Sequence, residues 1–110
     1  MLENIEERRR HTAAKLSPEQ QTALGQYFTP ASVAAYMAGL IGPCPAQVSL
    51  LDAGSGVGIL FAAAVEALCQ RSDHPEAIHI VAYELDSALA EISCQTLADC
   101  IKYARYYGIK

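Results

Sequence analysis

The stretch Leu50-Leu51-Asp52-Ala53-Gly54-Ser55-Gly56-Val57-Gly58 restricts the possible folds of this chain more than any other. A short apolar run, Val48 to Leu51, ends at an acid and a turn with three glycines. Such a run is expected to be a buried parallel strand. The text that follows, Ile59 to Cys69, is apolar almost all round and is interrupted only by Glu66, so it predicts a helix with little exposed face. A second apolar run, Ile78 to Tyr83, leads into Glu84-Leu85-Asp86 and is expected to be a second buried strand. Asp86 is placed to cap a last helix in which Leu89, Leu97, Cys100, Ile101 and Ala104 share a face, with Gly108 as its stop.

Upstream text completes the pattern. Residues 1–16 predict a short, modestly amphipathic helix with apolar positions at Leu2, Ile5, Ala13, Ala14 and Leu16. Ser17-Pro18-Glu19-Gln20 has the spacing of a capping box and predicts a short turn of helix ending near Gly25. Thr29 is expected as N-cap of a further helix with Pro30 in its first position, an apolar stripe of Val33, Tyr36, Met37 and Leu40, and a stop at Gly42-Pro43. The order helix, strand, helix, strand, helix is the opening of an α/β doubly wound sheet. With 110 residues, one small domain is the limit. The expected division is an N-terminal helical segment over residues 1–24 and an α/β part over residues 25–110.

The glycine turn carries the chemical information. A strand feeding a glycine-rich turn that opens a helix lets backbone amides approach a ligand closely, which suits a nucleotide-type site. The dinucleotide pattern G-x-G-x-x-G is absent, because Ile59 stands where its third small residue belongs. Asp52 narrows the choice further: a carboxylate there repels a pyrophosphate but suits a ligand with an ammonium and a sulfonium, such as S-adenosylmethionine. Glu84 ends the next strand, where an acid can accept both ribose hydroxyls. Thr29, ahead of a helix with free amides, is placed to hold the carboxylate end of an amino-acid ligand. A tight strand-to-helix turn with an incidental acid, and Tyr27 and Phe28 as loop packing residues, is the plainer alternative.

Three segments together carry a resemblance. Gly-Gln-Tyr-Phe-Thr-Pro at 25–30, Asp-Ala-Gly-Ser-Gly-Val-Gly at 52–58 and Tyr-Glu-Leu-Asp at 83–86 resemble the N-terminal part of N6-adenine-specific DNA methyltransferases, including type I modification subunits and fused restriction-modification enzymes. The match covers roughly residues 24–90, and Gln-Tyr-Phe-Thr-Pro is its most family-specific piece. The resemblance implies a Rossmann-like, class I methyltransferase sheet that binds S-adenosylmethionine. Tyr27, Phe28 and Thr29 would lie along the methionine moiety. Asp52, Gly54, Ser55, Gly56 and Gly58 would hold its amino and carboxylate end, Glu84 would bind the ribose, and Leu85 would border the adenine.

The family's Asn/Asp-Pro-Pro-Tyr/Phe sequence, which accepts hydrogen bonds from the target amino group, is missing, since prolines occur only at 18, 30, 43, 45 and 75. The expectation is therefore a cofactor-binding fragment, cut after the second strand and its following helix and inactive alone, with no catalytic residue of its own. DNA would be met by parts of the enzyme beyond these residues. Two alternatives share the fold: a non-catalytic cofactor-binding or assembly module, and a methyltransferase part acting on protein, RNA or a small molecule.

The remaining features carry less chemistry. The net charge is −4, with Arg8, Arg9, Arg10 and Lys15 near the start and the acidic excess in the rest, so no phosphate-binding surface is expected in the globular part. The arginine run is read as a solvated helix face. Cys44, Cys69, Cys94 and Cys100 have no metal-site or redox spacing and are read as small core residues in a reducing compartment. His11, His74 and His79 lack partners at ligand spacing, and no metal site is expected. Tyr103, Tyr106 and Tyr107 are read as packing residues. Without a secretory h-region or an apolar run of roughly 18 residues, the chain is expected to be soluble and cytoplasmic. An uncovered strand edge predicts self-association.

Overall fold

The computed structural model describes residues 1–19 and 28–110. The elements are α1 (Leu2–Ala14), α2 (Ala31–Ala38), β1 (Gln47–Ala53), α3 (Ile59–Cys69), β2 (Ala77–Tyr83) and α4 (Ser87–Tyr106). The short turn expected up to Gly25 and the Gln20 end of the capping box lie outside the described residues.

β1 and β2 pair in parallel, with Leu50 opposite Ile80 and Asp52 opposite Ala82. This alignment puts the two strand ends, and hence both candidate acids, at the same edge of the sheet. Side chains alternate across a strand, and Leu50, Ile78, Ile80 and Ala82 turn inward against the helices. The opposite face is open: Leu51 and Tyr83 are exposed. The expectation of fully buried strands is corrected here, because the described helices cover one face of this two-stranded sheet.

α3 runs over the expected residues and is the centre of the core, with Phe61, Ala62, Ala63, Val65 and Leu68 buried. α1 reaches the same core through Ile5, which has no exposed surface. α2 departs from expectation at three points. Its N-cap is Pro30 rather than Thr29, it ends at Gly39 rather than at Gly42-Pro43, and it packs through Ala34 and Ala38. Val33, Tyr36, Met37 and Leu40 are exposed instead. Small residues on both helices let α2 approach the alanine-rich side of α3 closely, and the bulky stripe is left facing outward.

α4 starts and stops as its sequence predicts. The Asp86 carboxylate accepts the amide of Leu89 at 3.0 Å. At the other end Gly108 has φ +75°, with its amide on Arg105 and the amide of Ile109 on Ala104, a Schellman closure whose Ile109 is buried. The buried face of α4 is Leu89, Ser93, Thr96, Cys100 and Ala104. Leu97 packs half-buried against the core and Ile101 is exposed, while Ser93 and Thr96, which were not among the expected face residues, are buried. After the helix, the Lys110 amide donates to Glu76 and its carbonyl accepts from Ile78, so Lys110 sits in a parallel bridge on the outer edge of β2.

Cys69 and Cys100 are buried, and burial pushes their thiols up to about 11 and about 12. They are inert core residues. Cys94 is exposed, against the expectation of a core position. No group of metal-ligating side chains occurs among the described residues. No described helix is long and apolar enough to cross a membrane.

Candidate functional site

The backbone of the glycine turn is left-handed at Gly54, Gly56 and Gly58. At Gly58 the reason is also steric: an added Cβ would overlap the Phe61 ring and lie 2.9 Å from Cγ2 of Thr96. At Gly56 an added Cβ would meet the Phe28 ring at 3.2 Å. Phe28 therefore lies over the turn, as a side chain rather than as part of a regular element. Gly54 has open space where a side chain would be.

Most turn amides are satisfied within the protein. Those of Gly54 and Ser55 donate to the carbonyl of Tyr83 at 2.7 and 2.9 Å, and that of Gly58 donates to Ser55. These bonds tie the end of β1 to the end of β2. The Gly56 amide donates to Oε1 of Glu84 at 2.8 Å, and the Asp86 amide donates to Oε2 at 3.3 Å. Each carboxylate oxygen of Glu84 thus accepts one backbone amide and keeps a further lone pair.

Asp52 has the opposite condition. It points to the helix side of the sheet, and its Oδ2 is buried with no hydrogen-bond partner among the described residues. Burial raises the Asp52 carboxyl above the usual carboxylate range, and the neighbouring Glu84 carboxylate adds to the rise. Two acids of like charge at adjacent strand ends, one with an unpaired buried oxygen, make a place where a cation is favoured. Asp52 also borders a cleft of about 220 Å³ between α2, α3 and β1, together with Met37, Ala38 and Leu60. A larger apolar cleft of about 520 Å³, lined by Ile78, Ile80, Leu97 and Ile101, contains none of the candidate residues.

The other candidates are distributed unevenly. Tyr27 lies outside the described residues. Thr29 is half-buried and does not cap α2; Oε2 of Glu6 takes the Ala31 amide instead, at 3.0 Å. The helix start expected to hold a ligand carboxylate is thus partly occupied by an acid of α1. Ser55 is buried, with its hydroxyl 2.9 Å from that of Ser93. Leu85 is fully exposed beside Glu84.

Sequence reasoning missed the support beneath the turn. Thr96 is completely buried, and its hydroxyl donates to the carbonyl of Val57 at 2.7 Å. Arg8 donates from Nη1 to the Thr96 hydroxyl oxygen at 2.8 Å and from Nη2 to Asp99 at 2.9 Å. Arg9 forms a two-pronged pair with Glu6, and Arg10 also approaches Glu6. The arginine run is therefore not simply a solvated face. The spacing Leu89, Ser93, Thr96, Cys100, Ala104 was the available signal, because it puts two hydroxyls in the core register of a helix.

The model of the N-6 DNA methylase family matches residues 11–97. No curated protein and no solved structure matches the chain. The matched stretch runs from α1 through both strands and far into α4, so it includes the glycine turn and the acids at both strand ends. Because the match takes in most of the 110 residues, the chain belongs to the N-6 DNA methylase family.

Proposed function

We propose that these residues form the S-adenosylmethionine site of an adenine-N6 DNA methyltransferase of a restriction-modification system, built on a doubly wound, Rossmann-like sheet. The observation that carries this reading is the buried, unpaired Oδ2 of Asp52 next to Glu84. The residues present fit such a ligand: a cation satisfies Asp52, and the spare lone pairs of Glu84 suit a vicinal diol. Bound there, the cofactor supplies an electrophilic methyl group on a sulfonium.

The protein's part is to bind and orient. Asp52 takes the ammonium end, Glu84 takes the ribose, and Tyr27, Phe28 and Thr29 run along the methionine, with Phe28 closing over Gly56. Gly54, with open space above it, gives the ligand access to the turn. Leu85 offers an exposed apolar side chain to the adenine. The 110 residues contain no Pro-Pro and hence no Asn/Asp-Pro-Pro-aromatic sequence to polarise an adenine amino group. Cofactor binding is the part that these residues play in this reading, and DNA is the substrate that the family points to.

Titration calorimetry with S-adenosylmethionine tests the site. Wild type is expected to bind, and Asp52→Asn and Glu84→Gln are each expected to weaken binding about tenfold or more, the scale of a lost charge-assisted hydrogen bond. Equal affinity in all three proteins would place the cofactor elsewhere. Addition of a separate chain carrying the Pro-Pro sequence is expected to produce methyl transfer to DNA, and the isolated chain is expected to give none.

A second reading, an assembly module, is favoured by the open sheet. Leu51 and Tyr83 lie exposed on its uncovered face, and the bulky stripe of α2 is exposed too. Self-association through the strand edge is part of this reading.

A further inference from the structure

We propose that α1 holds the glycine turn in its cofactor-binding geometry through Arg8 and Thr96, which act as positioning residues. This inference rests on the reading of the turn as the cofactor site. Arg8 and Thr96 are separated by 88 positions in sequence, yet they meet at a 2.8 Å hydrogen bond.

Three observations converge on one segment. The Thr96 hydroxyl donates to the Val57 carbonyl, in the middle of the turn, while its methyl packs where Gly58 leaves no room for a side chain. Ser93, one turn earlier on α4, puts its hydroxyl on Ser55. Both polar residues on the buried face of α4 are thus committed to the same four-residue turn. The Thr96 oxygen has one proton to give, and the shorter contact gives it to Val57 at 2.7 Å, compared with 3.2 Å to Ile92. A guanidinium donating to that oxygen polarises the hydroxyl and strengthens its bond to Val57. Asp99 takes the other arm of the guanidinium and fixes its orientation.

The consequence is a rigid floor under the turn. If Val57 is held from below, Gly56 keeps its amide on Glu84, and Glu84 keeps its free lone pairs aimed outward. Loss of the Thr96 hydroxyl leaves a buried carbonyl without its partner, which favours local opening of the turn.

The test compares Thr96→Val, which keeps the shape and removes the hydroxyl, with Thr96→Ser, which keeps the hydroxyl, and with Arg8→Gln, which removes the charge from a half-exposed position. Amide hydrogen exchange across residues 54–59 and calorimetric affinity for S-adenosylmethionine are measured beside the global melting temperature. In Thr96→Val the turn is expected to exchange roughly tenfold faster than the α3 core after correction for global stability, with a roughly tenfold loss of affinity. Arg8→Gln is expected to move both readouts the same way by a smaller factor, and Thr96→Ser to keep both near wild type. Uniform changes in exchange over the whole chain, with turn and core scaling together, would overturn the proposal. So would unchanged affinity in Thr96→Val. If wild type fails to bind the cofactor, the site reading fails, and turn-specific exchange still decides whether Arg8 and Thr96 hold the turn.

Discussion

The carboxylate of Glu84 accepts the backbone amide of Gly56 across 2.8 Å, which joins the end of β2 to the glycine turn that follows β1. An acid expected only to meet a ligand is therefore also part of the scaffold. Its position depends on the turn, and the turn depends in part on it.

Gly58→Ala tests how tightly the turn is packed. Its φ of +87° disfavours any side chain, and the new methyl would press on Phe61 and Thr96. A stability loss of about 3 kcal/mol is expected from denaturant unfolding, combining overpacking with a left-handed backbone. Gly54→Ala, with the same hand of backbone but open space, is expected to lose about 1 kcal/mol.

Asp52→Asn is expected to stabilise the free protein at neutral pH while weakening cofactor binding. Burial raises the folded-state pKa of Asp52, so the folded protein holds this proton more tightly than the unfolded chain does. The associated stability is present below the unfolded pKa and lost as pH rises through the folded one. Melting curves of wild type and Asp52→Asn should therefore separate as pH rises above the carboxylate range, with the variant higher. This is the trade between stability and function common at binding sites.

Glu6 has the opposite sign. Its hydrogen bonds with Arg9 lower its carboxyl pKa, and the Ala31 amide lowers it further. Its contribution is present above the unfolded carboxylate pKa and lost as pH falls through the lower folded value. Glu6→Gln should melt below wild type at neutral pH and converge with it in acid. A constant gap between the two curves at all pH values would show that the ionised form of Glu6 does not link α1 to α2.

Sedimentation velocity is expected to show concentration-dependent dimers. Leu51, at 71% exposure on the open face of β1, is a suitable point to disturb them without touching the core. Leu51→Glu should shift the distribution toward monomer at unchanged melting temperature. A single monomeric species at high concentration in wild type would remove the assembly reading.

The elements whose shape depends on near neighbours were legible from residue order. Asp86 caps α4 through an amide three residues on, and Gly108 ends it through contacts within one turn. The glycine turn, the strand ends of Asp52 and Glu84, and the parallel pairing were readable for a similar reason, because a strand, a tight turn and a helix occur there in immediate succession.

Side-chain partners set by packing were not legible. α2 presents two faces, one of alanines and one of larger apolar residues, and hydrophobicity alone favours the larger. Close approach to the alanine-rich α3 reverses that choice. Glu6 at the start of α2, and Arg8 on Thr96, are partners across 25 and 88 positions of chain. Local order thus specifies where backbone hydrogen bonds begin and end. Which polar groups share a buried space is decided by how the helices come together, since an unpaired group there costs more than any local preference can offset.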